Sequence, residues 1–168
     1  MFRIFYALQE LDFQQLMQVY NESNQLCGGA NHKGFDEPQQ VLHAEQDFYD
    51  FLRNCFFDGT SFYAVLTCDG RYVSAVRLEK FMDGLLLEAL ETAPDCRRQG
   101  YATLLLHCVQ KYAAQIGKTK IYAHVYRRNR ASISLHKKCG FSEVLDHAVF
   151  IDGSVSWDAI TLCCKLCN

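Results

Sequence analysis

The sequence predicts an α+β single domain spanning residues 1–168, with a mixed, mostly antiparallel sheet of about seven strands flanked by about four helices. Three observations predict it. Asp69-Gly70, Asp83-Gly84 and Asp152-Gly153 each separate β-favouring runs, and Asp-Gly marks hairpins because both turn positions must tolerate positive φ. Between Leu90 and Val144 the periodicity changes to helix–strand–helix. At 168 residues the chain is long enough to bury one sizeable core.

The elements follow in order. Residues 2–7 alternate as a short strand, and Asp12 opens an apolar-periodic helix through Leu16 and Tyr20. Residues 21–36 are polar and carry Gly28, Gly29 and Gly34, which predicts a mobile loop. Pro38 suits the first turn of a second helix, whose stripe of Val41, Leu42, Phe48, Phe51, Leu52 and Cys55 ends at Asp58-Gly59. Strands at 62–67, 72–78 and 85–90 are joined by the first two Asp-Gly turns. Residues 100–116 place Tyr101, Leu105, Cys108, Val109, Tyr112 and Ile116 on one helix face, with Gly117 at the stop. Ile121, Ala123 and Val125 alternate as a strand. Residues 131–139 form a short helix closed by Gly140, with Phe141 placed for the apolar contact of a Schellman cap. Runs at 144–151 and 157–166 complete the sheet around the third Asp-Gly.

Composition narrows the function. Net charge is −2 with Lys and Arg scattered, so there is no basic stripe for a nucleic-acid backbone. No apolar run approaches the roughly 18 residues that span a bilayer. The start, Met1 to Tyr6, lacks the apolar stretch of a signal peptide, so a soluble cytoplasmic protein is expected. Nine cysteines form an odd and dispersed set, which reads as reduced thiols acting as small hydrophobes. Cys164-Lys165-Leu166-Cys167 is a C-x-x-C, but no second pair or His cluster accompanies it, so no metal is expected.

The chemistry concentrates in residues 85–103. A strand ends, Pro94 turns the chain, and Arg97, Arg98 and Gly100 begin an amphipathic helix. Free N–H groups at a helix N-terminus favour an anion, and glycine lets backbone approach it closely. A phosphate or pyrophosphate site is expected, though solvated arginines and a turn-easing glycine would read the same way. Neither G-x-x-x-x-G-K-S/T nor G-x-G-x-x-G is present.

Arg97-Arg98-Gln99-Gly100-Tyr101-Ala102 resembles the acetyl-CoA signature of the GNAT superfamily, Q/R-x-x-G-x-G/A, with Pro94 where that superfamily often has a proline. The segment from Asn129 to Phe141 is similar to its second motif, N-x-x-A/S-x-x-L-Y-x-x-x-G-F. The element order matches across essentially the whole chain.

The resemblance implies an acetyl-CoA-dependent N-acetyltransferase acting by direct attack in a ternary complex. Arg97 and the backbone from Arg98 through Gln99, Gly100, Tyr101 and Ala102 to Thr103 would hold the CoA pyrophosphate. Leu90 and Thr92 would pair with the pantetheine arm where their strand splays from Ile121–Val125, a bulge amide near Leu90 would polarise the thioester carbonyl, and Asn129 would contact the arm. Asn129 is equally a good helix N-cap. His136 stands where relatives carry a tyrosine acid, and a histidine retains a protonated fraction at neutral pH, though it reads equally as a helix residue with no catalytic part. A base must deprotonate the acceptor ammonium. Glu88 and Glu91 are expected on opposite strand faces, and Glu88 is the choice for that base.

A covalent route through Cys96 or Cys139 is disfavoured by the resemblance, which also places the acceptor pocket between residues 21–37 and 146–157. These offer Asn24, His32, Asp36, His147 and Trp157, joined by Tyr6, with Trp157 read chiefly as packing. The acceptor is a small-molecule or peptide amine that these residues do not identify, and the protein is expected to be a monomer or homodimer. The rival reading is a GNAT-fold module that binds CoA without turnover.

Overall fold

The computed structural model describes residues 1–166, so Cys167, and with it the C-x-x-C, lies outside the described residues. The strands are β1 Phe2–Phe5, β2 Ser61–Cys68, β3 Arg71–Phe81, β4 Gly84–Thr92, β5 Lys120–Tyr126, β6 Ser142–Leu145, β7 Ala148–Val149, β8 Val155–Ser156 and β9 Ala159–Lys165. The helices are α1 Phe13–Val19, α2 Asn21–Asn31, α3 Glu37–Phe57, α4 Tyr101–Gln115 and α5 Arg130–Lys138. Seven strands form one sheet in the order β1-β2-β3-β4-β5-β9-β6, and β7-β8 form a separate ribbon. All pairs in the large sheet are antiparallel except β4-β5.

The sheet is buried on both faces, so β2 is a continuous buried run rather than an alternating one. Phe62, Ala64 and Leu66 face a layer with Leu105, Leu106 and Val109 of α4. Tyr63 and Val65 face Leu16 and Val19 of α1 and Leu52 of α3. Local capping sets the helix starts: Asp12 accepts from the Gln15 N–H at α1, and Asp36 from the Gln39 N–H at α3. At the end of α5, the N–H of Phe141 reaches the His136 carbonyl and that of Gly140 the Lys137 carbonyl, which is the expected Schellman cap.

Three readings change. Most of the segment expected as a mobile loop is α2. Its glycines suit close helix packing: a Cβ on Gly28 would lie 2.4 Å from the Gln40 carbonyl oxygen of α3. At the second Asp-Gly, Phe81 pairs with Gly84, so Met82 and Asp83 make the turn and Met82 takes φ 47°. Gly84 is there because a Cβ would meet the Lys120 carbonyl oxygen of β5 at 2.3 Å. The run at 144–151 divides into β6 and β7, and the third Asp-Gly closes the small β7-β8 ribbon.

Candidate active site

The site begins where the sheet comes apart. β4 and β5 pair only at Leu85–Ile121, Leu86–Tyr122 and Leu87–Ala123. Beyond that β4 continues to Thr92 against β3, while β5 continues to Tyr126 against β9, leaving a wedge between them. Inside the wedge β4 bulges. Glu88 pairs with Arg77 and Glu91 with Ala75, so Ala89 and Leu90 together oppose Val76. Ala89 adopts φ 54°, a conformation in which a non-glycine residue is strained. Because of the extra residue Glu88 and Glu91 share one face, contrary to the simple alternation read from sequence.

The wedge opens into a cleft of about 740 Å³ lined by Leu90 and Thr92 of β4, Arg97, Arg98, Gly100, Tyr101, Ala102 and Thr103 at the start of α4, and Asn129 at the start of α5. Glu22, Ser23 and Leu26 of α2 form one further wall, and Ser132 and Leu135 of α5 another. A larger hollow of about 840 Å³ lies along the other end of α4, between His107 and Leu166. It includes neither the strand wedge nor a helix N-terminus, so the smaller cleft is the candidate site.

At its α4 end the cleft meets the uncapped N-terminus of a helix. Arg98 (φ 62°) and Gly100 (φ 87°) curl the chain into α4, and Gly100, as N-cap, brings no side chain to the first-turn N–H groups. A Cβ built on Gly100 meets nothing within 4 Å, so the approach is open. The turn is braced from outside: Arg71 donates to both oxygens of Asp95 at 2.6 and 2.9 Å. Arg97 donates to the Thr92 carbonyl and, at 2.6 Å, to Glu22, tying α2 to the cleft. The Gln99 side chain turns back to the Asp95 carbonyl instead of lining the cleft. Asn129 lines the cleft and caps α5 by accepting from the Ser132 N–H at 3.0 Å.

The titratable groups sort by environment. Glu88 is one-quarter exposed, and burial pushes its carboxyl above the usual range while Arg77 pulls it partly back. Its carboxylate lies 3.9 Å from His124 Nδ1 of β5. The His124 side chain is only 4% exposed, and burial lowers its pKa, so the imidazole faces Glu88 neutral rather than as an ion-pair partner. Both its nitrogens lack a hydrogen-bond partner among the described residues, while the rings of Phe81 and Phe150 hold it edge-on from two sides. Sequence reasoning passed over His124 as one more strand position; its alternation with Ala123 and Val125 was the available signal. Glu91 accepts from Ser23 of α2 and lies 3.9 Å from Arg97.

His136 is not among the residues that line the cleft. It is 2% exposed behind the cleft wall formed by Ser132 and Leu135, and its Nδ1–H donates to the Ser132 carbonyl at 2.8 Å. Burial holds its pKa below the ordinary value, partly countered by that hydrogen bond. Cys96 lines the cleft, but burial and the neighbouring Asp95 push its thiol up, and burial does the same at Cys139, which leaves little thiolate for a covalent route.

The residues expected around the acceptor do not converge on the cleft. Asn24 is buried and donates to Met17 Sδ, His32 pairs with Asp47, Asp36 caps α3, and Tyr6 contacts Tyr112. Trp157 is 66% exposed and packs on His147, so it belongs to the hairpin surface and not to the core.

The acetyltransferase (GNAT) family model matches residues 13–141, and the chain belongs to that family. The chain shares the fold of a PaiA N-acetyltransferase from Thermoplasma acidophilum solved with coenzyme A, at 16% identity and TM-score 0.69 over 98% of this chain and 99% of that one. It also resembles a spermidine N-acetyltransferase chimera from Vibrio cholerae, at 19% identity and TM-score 0.57 over 73% and 75% of the two chains. A third similar structure is the ribosomal-protein-S18-alanine N-acetyltransferase of Escherichia coli, at 23% identity and TM-score 0.51 over 64% and 69%. No curated protein matches the sequence. No helix of the described residues is long and apolar enough to cross a membrane, and no group of three or more His, Cys, Asp or Glu among them could hold a metal ion.

Proposed function

We propose that the protein transfers an acetyl group from acetyl-CoA to a primary amine by direct attack in a ternary complex. The observation that carries this reading is one continuous cleft running from the uncapped N-terminus of α4 to the bulge of β4. Its residues fit the co-substrate: backbone N–H groups of residues 101–103 and the Arg97–Arg98 turn meet the pyrophosphate, Thr92 and Asn129 flank the pantetheine arm, and Leu90 N–H meets the thioester carbonyl. Acetyl-CoA supplies the activated acyl group.

The protein residues manage protons and charge. Glu88 takes a proton from the acceptor ammonium, the amine nitrogen then bonds to the acyl carbon, and as the carbon–sulfur bond breaks the thiolate leaves and the nitrogen's surplus proton passes to solvent. Leu90 N–H stabilises the oxygen charge that develops meanwhile. We assign His136 to packing against Phe141 rather than to proton donation, because its burial disfavours the imidazolium and a thiol pKa of about 8.5 already makes the thiolate a competent leaving group. The free thiols at Cys27, Cys55, Cys68, Cys96, Cys108, Cys139 and Cys163 support a reducing, cytoplasmic setting. Strands from both ends of the chain, β1 and β9, enter one sheet, which supports reading it as one unit.

Calorimetric titration with acetyl-CoA, using ATP as control, tests the binding half of this reading, and an amine-library screen for thiol release tests turnover. Saturable acetyl-CoA binding that is lost in Gly100→Trp, together with amine-dependent thiol release, is the expected result. Binding without turnover on any amine would leave a CoA-binding module instead. Absence of binding at millimolar acetyl-CoA would remove the co-substrate assignment.

A further inference from the structure

Tyr20 connects α1 to α2, is buried, and packs its ring against Phe48 with centroids 5.3 Å apart. Its hydroxyl donates to the carbonyl oxygen of Ala89, the positive-φ residue of the β4 bulge. The partner peptide matters here. The chain has no cis peptide bonds among the described residues, so the Ala89 C=O and the Leu90 N–H belong to one planar trans unit and point in opposite directions. Holding the carbonyl fixes where the amide points.

The residues at the two ends of that unit also meet opposite layers of the sheet. Tyr20 belongs to the core layer of α1 and α3, whereas the Leu90 side chain packs against the α4 layer and lines the cleft. The phenol is a permanent donor, since burial raises its pKa well above the ordinary value, with the neighbouring Tyr63 adding to the effect. A donor on the carbonyl also polarises the peptide, which strengthens its N–H as a donor.

We propose that Tyr20 is a positioning residue for catalysis: by binding the Ala89 carbonyl from behind the sheet, it aims and polarises the Leu90 N–H that stabilises the developing oxyanion. This rests on the acetyltransferase reading given above. It also explains why a strained conformation at Ala89 persists, because the hydrogen bond over-determines it.

The test is Tyr20→Phe, which keeps the ring and removes the donor. Loss of one oxyanion donor outright lowers kcat by about 100-fold or more, and weakening one is expected to lower it by about tenfold. The KM for acetyl-CoA should stay within about twofold, because the contacts to the pyrophosphate and pantetheine arm are untouched. In the free protein, Ala89 carbonyl 13C and Leu90 amide 15N resonances should both move upfield, a signature that general loosening of the core would not confine to this peptide. Placing 3-fluorotyrosine at position 20, with a more acidic phenol and unchanged packing, should move the same resonances downfield, and it remains informative if Tyr20→Phe fails to fold. A kcat within twofold of wild type in Tyr20→Phe, or resonances insensitive to fluorination, would overturn the proposal. Wild-type protein inactive on every amine would instead remove the acetyltransferase reading, a failure visible before any variant is made.

Discussion

Glu88 and Glu91 stand on the same face of β4, because the extra residue of the Ala89 bulge makes three steps along the strand count as two. Their environments nevertheless separate them. Glu91 is engaged, with Ser23 donating to it and Arg97 3.9 Å away, so it helps tie α2 to the cleft. Glu88 has no hydrogen-bond donor among the described residues and faces the neutral, unpartnered imidazole of His124. Burial raises the pKa of both carboxyls, but Ser23 and Arg97 pull Glu91 back and occupy it, so Glu88, without a donor, is the better proton acceptor of the two.

Glu88→Gln is therefore expected to lower kcat by about 100-fold at neutral pH. The base works when deprotonated, and its pKa is raised, so the wild-type rate should climb with pH through a value above the ordinary carboxylate range. The Gln variant should lack that limb. Its deficit should shrink towards pH 10, about where an amine loses its proton unaided. Steady-state thiol release measured across pH checks this, and an unchanged profile would transfer the role elsewhere.

His136→Ala separates packing from proton donation. Removing a 2%-exposed ring that meets Phe141 edge-on should reduce stability by about 2–4 kcal/mol in urea denaturation. Its kcat at saturating substrates should remain within about twofold of wild type. A tenfold fall in kcat at preserved KM would restore the acid role.

Adjacent glycines of α2 should respond with opposite sign. Gly29→Ala places its Cβ 3.7 Å from the Gln40 side-chain oxygen, an ordinary contact, and should stabilise by up to about 1 kcal/mol through helix propensity. Gly28→Ala gains the same propensity but drives its Cβ to 2.4 Å from the Gln40 backbone oxygen, an overpacking cost of about 1–3 kcal/mol that reverses the sign. Because α2 carries Glu22, the partner of Arg97, Gly28→Ala should also weaken acetyl-CoA binding. Denaturation midpoints of the pair and calorimetry on Gly28→Ala check both statements; equal shifts would refute the packing account.

What could be read from sequence was whatever depends on near neighbours. Periodicity located α1, α3, α4, α5 and most strands, Asp12 announced a helix start, and Arg97 to Thr103 announced the start of α4. Each of these is settled by residues within a turn or two. What only the tertiary structure decided depends on residues far apart in the chain. Gly28 reads as a loop glycine until Gln40 packs on it, and Gly84 as a turn glycine until Lys120 does. The facing of Glu91 follows from a bulge that Tyr20, 69 residues away from Ala89, helps to hold. His124 acquires meaning only when β4 and β5 part beside Glu88. The burial of His136 is likewise a property of the packed layers rather than of any local motif.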